Sequence, residues 1–256
     1  WLGHRNVICW ASFLSFCAKS LSKRKQLRLF KMISVVIPIL NEEETLGATL
    51  NSLSESIEDH EIIIVDGGST DGSFHIAEQY AQVIKSPAGR GPQMNLGANA
   101  ANGDVILFLH ADCRLEPGAL DAIESVTGDS RIVGGCFRQR IDAEGWDFRL
   151  IEFMIHLRAM HRFCIYGDQG IFVRCSTFDQ IGGFPEIPLM EDVVFSKRLR
   201  KAGKTCLVRK TVVSSARRWQ RLGTARTTLT NWYVRLLHFF GVPPDRLAKI
   251  YYGKAS

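Results

Sequence analysis

"ISVVIPILNEEETLGATL" (33–50) decides the fold of this chain. Its first seven residues form an unbroken apolar run dominated by β-branched side chains, which suits a strand covered on both faces rather than one facing water. The run then breaks into polar residues. Asn41 is a predicted helix cap with Glu44 three residues on, and Leu46, Leu50 and Leu53 fall on one face of the helix that should follow.

The same alternation continues outward. "EIIIV" (61–65) repeats the strand signal and runs into "DGGSTDG" (66–72), which leads into a second predicted helix. "QVIK" (82–85), a Gly-rich turn, a predicted helix over 91–102 and "DVILFL" (104–109) follow. A β-α-β-α order implies an α/β fold with a Rossmann-type, mostly parallel sheet flanked by helices, whose ligands gather at the carboxyl ends of the strands. Beyond residue 115 the alternation loosens. Helices are expected near 117–127 and 147–163, a strand at "CFRQRI" (136–141), and a helix from near Glu191 to a stop at Gly203. No repeat or low-complexity linker interrupts the chain.

With 256 residues, 46% of them hydrophobic, the chain can bury one sizeable core, and disorder is excluded for most of it. The formal charge of +6 invites a nucleic-acid or membrane reading until it is divided. Residues 1–31 carry seven Lys/Arg and no acid, residues 32–192 hold 10 bases against 25 acids, and residues 193–256 hold 15 bases against one. An acidic body beside a basic tail suits a cation and a phosphorylated ligand held together, and argues against a uniform nucleic-acid groove. The seven cysteines include no C-x-x-C pair and are odd in number, which implies free thiols and a cytoplasmic setting. Residues 1–31 place an apolar stretch too short to span a bilayer before a basic flank. They are expected to be a disordered or non-native extension ahead of Met32.

Three strand ends collect the chemistry: Pro38 to Glu42, Asp66 to Gly72, and His110 to Asp112. "DGGSTDG" is neither a Gly-Lys-Ser/Thr phosphate loop nor a G-x-G-x-x-G fingerprint, so ATPase and dinucleotide readings lose their support. A carboxylate just past a strand end can hold a divalent cation against phosphate oxygens, and Asp112 fits that description. Acids at Glu42 to Glu44 and at Glu191-Asp192 also suit helix N-termini with no further role. Arg217, Arg218 and Trp219 offer guanidinium forks for a diphosphate and an indole to cover a sugar. A solvated basic face with Trp219 half-buried is the plainer alternative.

"PILNEE", "DGGSTDG", "GRGPQMNLGANAANGD", "LHAD", "GGF" and "MEDVVFSKRLRKAG" together resemble family 2 glycosyltransferases of the GT-A fold, over about residues 32–205. "SSARRWQRLG" and "NWYVRLLHFFGV" resemble the compact bacterial selenium-domain-associated subgroup. The resemblance implies inverting transfer from a nucleoside-diphosphate sugar to an unidentified hydroxyl acceptor, with a Mg²⁺ or Mn²⁺ cofactor and no nucleic acid. It places Pro38, Leu40, Glu42 and Asp66 around the nucleoside and Arg90 near the phosphates. Asp192 becomes the base, with Glu191 orienting it or the acceptor. Asp112 becomes the metal ligand, and His110 stands where the family has its first Asp. An imidazole there would favour Mn²⁺ or Zn²⁺ over Mg²⁺, or would instead bond ribose or phosphate, or would be a satisfied strand-end histidine with no further role.

The implied organisation is a domain over 32–220, with a nucleotide-sugar half (32–115) and an acceptor half (116–220), followed by a helical tail over 221–256 packed on it. Trp232, Tyr233, Leu236 and Phe240 share one face of that tail, expected to pack on the domain, with peripheral contact at the inner face of a membrane as the alternative. Two rival functions remain at this stage, a nucleotidyltransferase and a noncatalytic basic module binding membrane or nucleic acid.

Overall fold

A computed structural model describes residues 32–53, 60–162 and 164–253. The expectation for residues 1–31 lies outside the described residues. The eight-stranded sheet begins with β1 (Ile33–Ile39), β2 (Glu61–Asp66), β3 (Val83–Lys85) and β4 (Val105–Phe108). It is completed by β5 (Cys113–Leu115), β6 (Ile132–Asp142), β7 (Ile171–Arg174) and β8 (Lys204–Ser215), in the spatial order β3-β2-β1-β4-β7-β6-β8-β5. The first four strands pair in parallel, β7 runs antiparallel to both β4 and β6, and β6 and β8 are parallel.

All seven residues of β1 are buried, and the pleat explains why the run is uninterrupted. Ile33, Val35, Ile37 and Ile39 point into one core with Leu46, Leu50 and Leu53 from α1 (Glu43–Asn51) and the turn after it. Val36 points into the other, with Met94 and Ala98 of α3 (Arg90–Ala100). Between these helices lies α2 (Ser73–Glu78). Helix α3 lies close because position 97 is glycine: a Cβ there would stand 2.3 Å from Val36 Cγ1. Gln93 on the same helix donates its Nε2 to the carbonyls of Ile39 and Val65, both at 2.8 Å, and so ties the ends of β1 and β2 together under the crevice.

The second half carries α4 (Ala119–Thr127), α5 (Trp146–Arg162), a 3₁₀ turn at Gly167–Gln169, α6 (Cys175–Ile181) and α7 (Glu191–Ala202). Phe108, Phe178, Phe184 and Phe195 form one aromatic cluster, with Phe184 and Phe195 stacked at 4.0 Å, and this pins the loop that delivers α7. The chain ends in α8 (Arg217–Leu222), α9 (Thr224–Phe239) and α10 (Pro244–Tyr252). Val234 and Leu247 from these last two helices are buried with Leu189, Met190 and Val193.

Two expectations are corrected. Asn41 does not cap α1. It takes a left-handed φ of 55°, and its Oδ1 instead accepts from the Thr70 N–H at 2.8 Å, because the two loops are zipped together side by side. In the tail, Trp232, Tyr233, Leu236 and Phe240 stay exposed. The helix packs through the neighbouring stripe that holds Val234 and Leu237.

Candidate active site

The carboxyl ends of β1 and β4 open into a cleft of about 2110 Å³, closed on its far side by α5, α7 and the last three helices. Glu42, Arg90, His110, Asp112, Glu191, Asp192, Arg217, Arg218 and Trp219 all line it, so most of the residues singled out in the sequence converge although 177 positions separate the first from the last. Pro38, Leu40 and Asp66 do not line it. Each Asp66 oxygen accepts from its own turn, from the N–H groups of Gly68 at 3.2 Å and Ser69 at 3.0 Å. Pro38 is buried inside β1 and Leu40 is exposed at its end.

The loops carrying the acids are locked from outside. Glu42 N–H donates to Ser73 Oγ at 2.7 Å, and Gly72 N–H donates to Glu43 Oε2 at 2.6 Å. Arg217, from the far end of the chain, donates Nη2 to Glu42 Oε2 and stands 3.6 Å from Glu44. Arg217 is therefore already paired with a carboxylate. Arg218 lies over the Tyr251 ring at 3.6 Å and donates Nη2 to the Tyr251 carbonyl, which ties α8 to α10. Trp219 packs against a small cluster of Ile141, Phe148 and Ala216, and its indole N–H is buried without a partner.

Asp192 is the most perturbed carboxyl in the cleft. Burial first, then the neighbouring Glu191 and Asp168, push its pKa up to about 7, against the pull of two backbone donors. Those donors are Gly167 N–H at 2.8 Å and Val193 N–H at 2.6 Å. A carboxylate titrating near neutrality can accept a proton from a hydroxyl and release it again at the same pH. Glu191 is buried beside it, and both follow Met190, which takes a left-handed φ of 71°.

Asp112 is also raised, by burial, then by Glu42, with Asp168 adding to it and Arg90 opposing. Three carboxylates thus crowd one place with partial compensation, the electrostatic setting that a divalent cation relieves. Among the described residues, no three His, Cys, Asp or Glu side chains converge at ligating distances. A cation at Asp112 would draw its other ligands from phosphate and water, as Mg²⁺ commonly does. Burial and Arg90 push His110 down to about 3, so its ring is neutral. Its buried Nε2 has no partner and abuts Gly167, where a Cβ would lie 2.3 Å away.

Asp168 was not singled out in the sequence. Gln139 Nε2 donates to its Oδ2 at 2.7 Å while its Oδ1 is buried without a partner, and it acts electrostatically on both Asp112 and Asp192. An acid framed by two glycines in "GDQG" was the available signal.

A two-part sheet with a cleft and acids at its carboxyl edge is the arrangement in which open α/β sheets hold a ligand outside the strand ends. Residues 34–182 match the family described as glycosyl transferase family 2, and the chain belongs to that family. A PGL/p-HBAD biosynthesis glycosyltransferase from Mycobacterium bovis is 32% identical over 168 residues, covering 60% of this chain and 63% of that one. An undecaprenyl-phosphate 4-deoxy-4-formamido-L-arabinose transferase from Proteus mirabilis is 28% identical over 137 residues, covering 48% and 42%. The match to an uncharacterized glycosyltransferase from Nostoc spans only 34% of that relative's length. In structure, the chain is similar to the mannosyltransferase PcManGT from Pyrobaculum calidifontis, solved with GDP-Man and Mn²⁺, at a TM-score of 0.60 and 17% identity over 88% of this chain and 69% of that one. S. aureus TarS with UDP-GlcNAc gives 0.58 at 18% identity, over 72% and 58%. These likenesses establish the GT-A fold. Among the described residues, no helix is long and apolar enough to cross a membrane.

Proposed function

We propose that the chain transfers a sugar from a nucleoside-diphosphate sugar to a hydroxyl acceptor with inversion at the anomeric carbon. The observation that carries the reading is the buried Asp192, poised near pH 7 in the same cleft as Asp112. Asp192 takes the acceptor's proton as the acceptor oxygen attacks from the face opposite the leaving group. The bond from the anomeric carbon to the diphosphate oxygen breaks, and the nucleoside diphosphate departs with the electron pair. Glu191 keeps Asp192 basic by its charge and frames the acceptor side. Asp112, with His110 lining the same cleft, would hold a Mg²⁺ or Mn²⁺ ion, which when bound supplies charge neutralisation at the diphosphate. Arg90 adds a fixed positive charge near Asp112. Residues 32–115 form the donor half and 116–220 the acceptor half, with the tail over 221–253 closing the cleft. The GDP-Man and UDP-GlcNAc bound to the two structural relatives support a donor of this class.

The test is a thermal-shift panel of the full chain with UDP, GDP and their sugars, with and without Mn²⁺, since a ligand of the native state raises apparent stability. A metal-dependent rise for one nucleotide series is expected, and it should vanish in Asp112→Ala. No rise with any nucleotide would refute the reading.

A further inference from the structure

Among the described residues, fifteen large apolar side chains are exposed, and thirteen of them lie on α5, on α9 and the turn after it, and on α10. Trp146 is 80% exposed and Phe239 79%, far beyond the scattered apolar exposure of an ordinary soluble surface. The distribution is ordered as well as local. On α5, Leu150, Ile151, Met154 and Ile155 recur at helical spacing along the cleft, and on α9 Leu229, Trp232, Leu236 and Phe239 do the same. The ten residue steps of helix from Leu229 to Phe239 rise about 15 Å. The two stripes line one continuous cleft with the acids. Met190 and Val193, which flank Glu191 and Asp192 in the chain, line the same cleft and are buried against Val234 of α9, so apolar lining runs up to the acid pair itself. Lys197, Arg200 and Lys201 line it too.

We propose that the acceptor is an amphiphile, a hydroxyl-bearing polar head on an apolar chain, and that the chain lies in the groove between α5 and α9 while the head meets Asp192. The assignment rests on the glycosyl-transfer reading and names the class of its second substrate. A polar saccharide acceptor leaves the aliphatic side chains of two apolar stripes largely in contact with water, whereas an alkyl or prenyl chain removes them from water as it enters. The resulting binding energy is remote from the reacting oxygen and can serve to orient the head. The basic side chains suit a head that also bears negative charge, such as one linked to its chain through phosphate.

The experiment measures calorimetric binding of octyl, decyl and dodecyl maltoside to the full chain, each below its micelle-forming concentration. Affinity should rise about fourfold per added methylene, or about 200-fold from octyl to dodecyl. Met154→Asp and Leu236→Asp, on opposite walls, should each flatten that dependence while leaving the nucleotide thermal shift unchanged. Affinity independent of chain length would overturn the proposal. So would a chain-length dependence that neither variant alters. Binding to phosphatidylglycerol vesicles without binding to the monomeric maltosides would also overturn it, and would assign the face to a membrane surface. A chain that binds dodecyl maltoside through these walls but no nucleoside diphosphate would sink the transfer reading rather than the groove.

Discussion

Asp192→Asn keeps the size of the side chain and removes its charge, and the structure gives the perturbation an unusual sign. The native carboxyl titrates at about 7, against about 3.9 for an aspartate in an unfolded chain. The native state therefore holds this proton more tightly than the unfolded state. The advantage is complete below pH 4 and is lost as pH rises from there through 7. At pH 8 the buried charge costs roughly three pKa units, or about 4 kcal/mol, and asparagine escapes that cost. Against it, an amide has one acceptor oxygen where the carboxylate offered two. One of the Gly167 and Val193 N–H groups then loses its partner, at about 1 kcal/mol or somewhat more. The net expectation is a variant more stable than the parent by about 2–3 kcal/mol at pH 8, and no more stable than it at pH 4.5. Turnover should fall by about two to four powers of ten, with little change in donor affinity. Urea unfolding at the two pH values, paired with release of nucleoside diphosphate at saturating donor, reads both effects. Glu191→Gln is the matched control, because it relieves the repulsion that raises Asp192 and should move the acid limb of the rate profile to lower pH. Equal destabilisation by Asp192→Asn at both pH values, with turnover retained, would refute both the buried charge and the base.

Asp112→Ala should abolish Mn²⁺-dependent affinity for nucleoside diphosphate in calorimetry while unfolding remains cooperative. Gly97→Ala should destabilise by about 1–3 kcal/mol or more in denaturant titration, since the added methyl meets Val36 at 2.3 Å and the helix must retreat from the sheet. Gly167→Ala should displace the His110 ring and lower turnover, and His110→Ala in the same chain should recover part of the stability lost. Arg217→Ala and Glu42→Gln should be strongly non-additive in donor KM, measured as a double-mutant cycle, because each is the other's partner.

The half of the fold covered on both faces was legible because burial leaves a direct imprint on composition. Strands β1, β2 and β4, and the starts of α3 and α7, stand within a residue or two of where the apolar runs and their breaks put them. Strands β5, β7 and β8 were not read as strands, and β7, though buried, has only four residues in which an apolar run could show. β5 has only three residues, and β8 interleaves Lys and Arg with its valines, because one part of it is covered while much of the rest is partly exposed. The candidate site divides on the same line. Acids at helix starts, such as Glu42 and Asp192, announce themselves by position. What a side chain does once there is set by partners remote in sequence. Arg217 crosses from the far end of the chain to Glu42, and Asp168 gains meaning only from its electrostatic action on Asp112 and Asp192.

Asn41 and Met190 show why that remoteness matters for chemistry. Among the described residues they are the non-glycine residues at positive φ, and each stands directly before a helix-opening acid, Glu42 or Glu191. A left-handed conformation costs an ordinary residue roughly 1–2 kcal/mol, so neither position follows from local preference. At Asn41 the cost is offset by bonds to Ser69 and Thr70, and at Met190 by burial against Val234 and Leu247 from the C-terminal helices. In both places distant parts of the chain hold a sharp turn that aims the next carboxylates into the cleft. Loosening the tail should therefore disturb Glu191 and Asp192 without touching them. Leu247→Ala, by removing a wholly buried side chain from that cluster, should cost about 2–5 kcal/mol and raise the acceptor KM before it alters donor binding. A donor KM that rises in step with the acceptor's would mean that the tail supports the whole cleft rather than the placement of the acid pair.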